Sequence, residues 1–292
     1  MTELTHIDVP FTDYQGWPQI NASLLVHAFK SWRQFAYVKQ HGYQPKTDTR
    51  VGTALHAITE CLPLERFDEL FVVMPDYKKS PDNVTSEGKR SYSRTGWVKD
   101  QEEAFIAANQ GREVLSVADR NRCRRMAHAI SQNAEAMELI TGSLREVSLS
   151  GEISGVPCKC RIDGIRLKER CLWDLKTTRD IGDRAFGRTA ANLRYTFKLA
   201  FYWLMLKNHG VEADEVKLIA VQDAVPLGDG SFNEAADCCI YDVPMIAIEN
   251  QFPEIDRLLG EYQHCVLMDS WPGVPNGPLY IPNWAMNEIE LV

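Results

Sequence analysis

CKCRIDGIRLKERCLWDLKTT, residues 158–178, reads as two β-strands joined by a tight charged turn. Asp174 and Lys176 are two residues apart, and a strand points such a pair to one face. Asp163 lies on the preceding strand. A two-residue turn at Lys168-Glu169, or a four-residue loop from Leu167 to Arg170, sets it directly opposite Asp174. Cross-strand partners sit close enough for two carboxylates to hold one ion. A loop of odd length would put them on opposite faces. Asp174 and Lys176 interrupt an apolar run of Leu172, Trp173 and Leu175, so both are expected to be half buried and in need of partners or an ion.

The surrounding chain bounds what such a site serves. Its 292 residues are 45% hydrophobic and 25% charged, enough for a sizeable core. No repeat and no apolar run of membrane-spanning length is present. The first residues, MTELTHIDVPFTDY, lack the basic and apolar regions of a signal peptide, so a soluble cytoplasmic protein with no membrane association is expected. The eight cysteines include no CxxC pair and are expected to be reduced, buried thiols. A net charge of −8 argues against a sequence-tolerant coat on nucleic acid. It permits an enzyme with a local basic channel beside an acidic ion site.

Asn21 caps an expected helix over about 22–41, ended by Gly42. VGTALHAITE (51–60) reads as a second helix carrying His56. Residues 65–70 suggest a helical turn and Phe71–Val73 a strand, while 75–94 form a polar loop with five basic residues. Helices follow over 97–109 and, from Ser116, over 117–140. Strands are expected at 144–150, in the central hairpin, at 216–222 and at 238–243. Helical segments fill 183–209, and a last helix runs from 245 to 268, adjusted near Pro253. Residues 1–20 read as irregular and 270–292 as a Pro/Gly-rich tail. With no linker long enough to mark a boundary, residues 1–292 are expected to form a single domain of the α/β class, a central mixed β-sheet flanked by helices.

Two carboxylates on adjacent strands with a lysine two residues on suit phosphodiester hydrolysis. Carboxylates hold Mg²⁺, and a bound ion activates both water and phosphate. Lys176 would position or deprotonate the water, or stabilise charge on the phosphate. The Leu175 carbonyl is a further candidate ligand. Taken singly, His56 reads as a hydrogen-bonded core histidine, Glu146 as a solvent-facing strand residue and Tyr202 as helix packing. Arg161, Arg194 and Lys198 read as paired or solvated charges, and Thr177 and Thr178 as strand formers.

Together these motifs resemble the PD-(D/E)xK nucleases of the RecB-like branch, and within it the RecE (exonuclease VIII) group of phage-type recombination nucleases. VGTALHAITECLPLERFDELFVVMPDY, CKCRIDGI, WDLKTTRDI, RYTFKLAFY, Trp271-Pro272 and LYIPNWA resemble that group's segments in order, over about 23–286. The resemblance implies a restriction-endonuclease-like core and metal binding by His56, Asp163 and Asp174. It implies catalytic roles for Lys176, Asp163, Asp174, Glu146 and Tyr202. Arg161, Thr177, Thr178, Arg194 and Lys198 become candidates for contacting DNA. The family's glutamine four residues before the tyrosine is Lys198 here, which cannot accept a hydrogen bond but can meet a phosphate.

The activity implied is Mg²⁺-dependent (Mn²⁺ substituting) digestion of linear double-stranded DNA, 5′→3′. The product is a 3′ single strand for a RecT-type annealing partner, made by a toroidal homo-oligomer. Alternatives are a RecB-like nuclease of other polarity or of single-strand or flap specificity, and a non-catalytic DNA-end-binding module.

Overall fold

The computed structural model describes residues 9–42, 51–52, 54–56, 71–75, 77, 96–227 and 229–280. Expectations for 57–70, for nearly all of 75–94 and for 281–292 lie outside the described residues. A five-stranded mixed sheet is built from β3 (Leu144–Ile153), β4 (Val156–Arg166), β5 (Cys171–Thr178), β6 (Glu215–Gln222) and β9 (Asp237–Asp242), in the order β3-β4-β5-β6-β9. β1 (Phe71–Val73) pairs in parallel with β2 (Glu113–Leu115), and β7 (Val225–Pro226) with β8 (Phe232–Glu234) as a small hairpin.

β3 and β4 form a long antiparallel hairpin closed at Ser154-Gly155, both with positive φ (50° and 74°). That backbone matches the twist of the flanking strands. β4 then pairs with β5 in the register Arg166↔Cys171, leaving the four-residue loop Leu167–Arg170 expected from the sequence. β5 continues in parallel with β6 across a crossover that holds the helices Asp183–Asn192 and Tyr195–Asn208.

The β4–β5 ladder covers only Gly164–Arg166 against Cys171–Trp173. Beyond it the strands part and make a fork. The released edge of β4 is taken by Ile20, whose N–H donates to the Pro157 carbonyl (3.1 Å) and whose carbonyl accepts from the Lys159 N–H (2.8 Å). Gly164, at the crotch, has no room for a side chain: a Cβ there would lie 2.1 Å from the Trp173 ring.

Two apolar clusters flank the sheet. One joins Leu172, Val147 and Cys160 to the helices Tyr195–Asn208 and Phe252–Met268 and to Leu25 and Phe35. The other joins Trp173, Leu175 and Ile219 to Val51, Ala54 and Leu55 and to the helices Val117–Gln132 and Ala134–Thr141. β5 therefore alternates strictly, and Asp174 and Lys176 share the face of Leu172. Seven described cysteines are free thiols, six of them buried.

Several expected helices are divided. The one expected over 22–41 breaks at Ser31, whose extended backbone (φ −176°) and side chain, accepting from the Gln34 N–H at 3.1 Å, start a fresh helix Trp32–His41. The one from 117 breaks at Asn133, which caps Ala134–Thr141 by accepting from the Ala136 N–H (3.0 Å). The last breaks at Asn250-Gln251, and Pro253 enters the first turn of Phe252–Met268 rather than bending a continuous helix. Residues expected to be irregular before 20 include a short helix, Phe11–Gly16. The tail to residue 280 has no regular structure, and Trp271 stacks on Phe35 with ring centroids 5.9 Å apart.

Candidate metal and catalytic site

The fork gathers the site. Asp163 is the residue of β4 just before the ladder, which begins at Gly164↔Trp173. Where the strands part, its Oδ2 accepts the Leu175 N–H at 2.7 Å, so a side chain replaces the next ladder bond. Across the β3–β4 hairpin, Glu146 is opposite the same Asp163. His56 follows Ala54 and Leu55 in a helical stretch, and Val51 and Leu55 are buried in the second cluster. His56 Nδ1 lies 3.6 Å from Glu146 Oε1 and 3.8 Å from Asp163 Oδ2. Donor atoms of His56, Glu146 and Asp163 all fall within 4.8 Å of one another, a grouping found among the described residues.

Lys176 Nζ forms a very short ion pair with Asp174 Oδ2, lies 3.9 Å from Asp163 Oδ2 and donates to the Leu175 carbonyl at 3.1 Å. Asp174 is almost wholly buried, with 4% of its side chain exposed. Burial pushes its carboxyl up, Asp163 adds to the push, and Lys176 only partly opposes them, leaving it at about 7. Burial pulls Lys176 down, but Asp174 and Asp163 outweigh it and raise it above the ordinary lysine value. Both values move upward because two carboxylates share one lysine. Burial also pulls the His56 imidazole down, while Asp163 and then Glu146 lift it to about 9.

The donor set fits a divalent cation. Donors at about 2.1 Å from an ion lie at most roughly 4.2 Å apart, so the triangle closes by a small contraction. The carboxylates suit Mg²⁺ or Mn²⁺, and the imidazole nitrogen favours the transition ion of the two. Of the four ligands expected from the sequence, His56 and Asp163 meet in this cluster. Asp174 is instead turned to Lys176, and the Leu175 carbonyl is occupied by the same ammonium. Glu146, expected among the catalytic residues rather than the metal ligands, lies in the cluster as a candidate donor.

The other expected residues divide. Tyr202 lies beside the carboxylates: burial, then Asp174 and Asp163, push its phenol well above the usual value. Lys198 also faces the site, its amine lowered by burial and by Lys176. Arg194, in a left-handed turn (φ 58°), rests its guanidinium 4.2 Å from the centre of the Phe29 ring. The Thr178 hydroxyl, at the end of β5, donates to the Asp180 carbonyl (2.9 Å), and Thr177 before it is half-buried.

Arg161, expected as a DNA contact, sits beside Glu146. Its Nε donates to Glu146 Oε2 (2.6 Å), and one terminal nitrogen donates to the Val9 carbonyl (2.8 Å) and Ser148 Oγ (3.1 Å). Sequence reasoning missed Tyr195, whose ring lies 5.5 Å from Lys176 Nζ and 5.9 Å from Lys198 Nζ. The three-residue spacing of Tyr195 and Lys198 on one helix was the available signal.

A forked mixed sheet carrying Asp163, Asp174-x-Lys176 and a converging histidine defines a PD-(D/E)xK-type domain. The chain belongs to the family of PDDEXK-like domains of unknown function, DUF3799, whose profile matches residues 23–277. Among solved structures it is similar to a "putative exonuclease" from Eubacterium rectale, at 12% identity and a TM-score of 0.58, over 96% of this chain and 99% of that one. It is also similar to a phage related exonuclease from Haemophilus somnus 129PT, at 11% identity and a TM-score of 0.31, over 61% of this chain and 85% of that one. A search of the curated proteins returned no match. No helix among the described residues is long and apolar enough to cross a membrane.

Proposed function

We propose that the protein is a metal-dependent exodeoxyribonuclease. The observation that carries this reading is the convergence of His56, Glu146 and Asp163 within 4.8 Å, with Lys176 held 3.9 Å from the same Asp163 oxygen. His56 Nδ1, Glu146 Oε1 and Asp163 Oδ2 would hold Mg²⁺ or Mn²⁺, with Asp174 adjoining. A divalent ion bound there supplies Lewis acidity toward the scissile phosphate and acidifies a bound water. Lys176 stays protonated between its carboxylates, so its part is to orient an attacking water and to stabilise negative charge on the phosphate rather than to abstract a proton. Tyr202 and Lys198 border the carboxylates, and Lys198, a cation in place of the family's glutamine, suits a neighbouring phosphate. Thr177, Thr178 and Arg194 are the remaining candidates for the DNA path.

The substrate proposed is linear double-stranded DNA, digested 5′→3′ to a 3′ overhang for a RecT-type annealing partner. A toroidal homo-oligomer would concentrate basic residues around a channel and reconcile DNA binding with a net charge of −8. The test is digestion of end-labelled linear duplex and covalently closed circles, with Mg²⁺ or EDTA. Linear duplex should be shortened from its 5′ ends only with the metal. Lys176→Ala and Asp174→Ala should lower the rate by at least about a thousandfold while keeping the far-UV spectrum. Equal cutting of closed circles, or retained activity in both variants, overturns the assignment.

A further inference from the structure

The geometry points to Arg161 as the positioning residue of the metal site: anchored by residues 9–11, it fixes one oxygen of Glu146 so that the other joins His56 and Asp163. This rests on the nuclease reading above but assigns a role to a residue that the reading leaves outside the chemistry. Three observations carry it.

The two Glu146 oxygens face different ways. Oε2 accepts from Arg161 Nε at 2.6 Å, while Oε1 lies 3.6 Å from His56 Nδ1. With Oε2 held by the guanidinium, Oε1 is the oxygen turned toward His56.

Glu146 also occupies a left-handed backbone conformation, φ 51°, inside strand β3. A non-glycine residue holds such a conformation only where its surroundings impose it. Val147 and Arg145 keep their register with Ile162 and Gly164 on either side, so the departure is confined to the one residue that carries the donor.

Arg161 is itself fixed. Besides Glu146 it donates to the Val9 carbonyl and to Ser148 Oγ, a fully buried hydroxyl, and its guanidinium lies 5.7 Å from the centre of the Phe11 ring. Two residues earlier on β4, Lys159 donates to the carbonyls of Tyr14 (2.9 Å), Gln15 (3.2 Å) and Trp17 (2.6 Å). The segment that grips Arg161 is thus fastened along β4. A planar guanidinium with several fixed acceptors orients a carboxylate as a lysine cannot.

The test is Mn²⁺ affinity, read by electron paramagnetic resonance without DNA. Partners that orient metal ligands typically contribute about 10–100-fold in affinity. Arg161→Lys and Arg161→Met should each weaken Mn²⁺ binding about tenfold or more. In a Glu146→Gln background, Arg161→Met should have no further effect, because the influence of Arg161 runs through that carboxylate. Duplex affinity in EDTA should change less than twofold in Arg161→Lys.

Unchanged or tighter Mn²⁺ binding in the folded Arg161→Lys protein overturns the proposal. So does weaker duplex binding at unchanged Mn²⁺ affinity, which would make Arg161 a phosphate contact. Wild-type protein that binds no Mn²⁺ overturns the nuclease reading itself, and wild-type binding lost in Asp163→Ala supports it whatever Arg161 does.

Discussion

Gly164 shows how much of the site rests on one missing side chain. The Trp173 ring lies across it, with its indole N–H donating to Ser143 Oγ at 2.7 Å, and β4 and β5 begin to part there. Gly164→Ala forces a methyl into that ring. It should cost about 1–3 kcal/mol, read as a lower urea midpoint, and it should lower activity further by shifting the adjacent Asp163. The Asp163, Asp174 and Lys176 constellation was legible in the sequence because strand periodicity is strict and an even loop leaves one register. The partnership of Glu146 with His56 was not. It depends on a left-handed residue inside a strand and on a helix packed in another cluster, and neither has a signature in spacing.

Among elements, the short helix Phe11–Gly16 is held largely by one buried cation. Lys159 reaches three carbonyls at and just past its C-terminal end, where the helix dipole favours positive charge. Burial lowers the Lys159 amine, so those carbonyls are what keep it charged there. Lys159→Met should cost roughly 2–3 kcal/mol, as expected for a charged hydrogen-bonded group. It should also speed amide hydrogen exchange over residues 11–20 more than elsewhere. The same reasoning explains which helices the sequence mis-divided. The apolar stripe runs unbroken through Ser31 and Asn133, so periodicity alone joins segments that a single side-chain cap separates. The strands were read more closely, since turns and polar breaks bound them. β2 escaped because three residues carry too little pattern, and residues 9–20 because their attachment is tertiary.

For the whole molecule, the buried charges link stability, pH and metal. Asp174 titrates at about 7 in the fold against 3.8 for an ordinary aspartate, so its proton stabilises the folded state most at low pH. That contribution fades as pH rises from about 4 to 7. His56, at about 9 against 6.5, contributes fully below 6.5 and loses its contribution as pH rises through 9. In EDTA, Asp174 up to about pH 7 and His56 from about 6.5 to 9 therefore lower the melting temperature in turn as pH rises from 6 to 9. A divalent ion replaces these protons, so the rise in melting temperature caused by Mn²⁺ should grow across the same interval. A metal-induced rise that is flat or shrinks with pH contradicts this linkage. The mixed sheet and its flanking helices followed from the order of strand and helix patterns. The division of the interior into two clusters with the site between them did not, because it depends on which way each helix returns.

The early release of β4 by β5 has a further meaning for how the chain behaves in company. A sheet edge with unfilled hydrogen bonds invites any extended strand, including one from another copy. Here the vacancy is filled from within, by Ile20 against Cys158. The segment proposed to steady Glu146 is therefore also a guard against self-association, and loosening it would bare an adhesive edge.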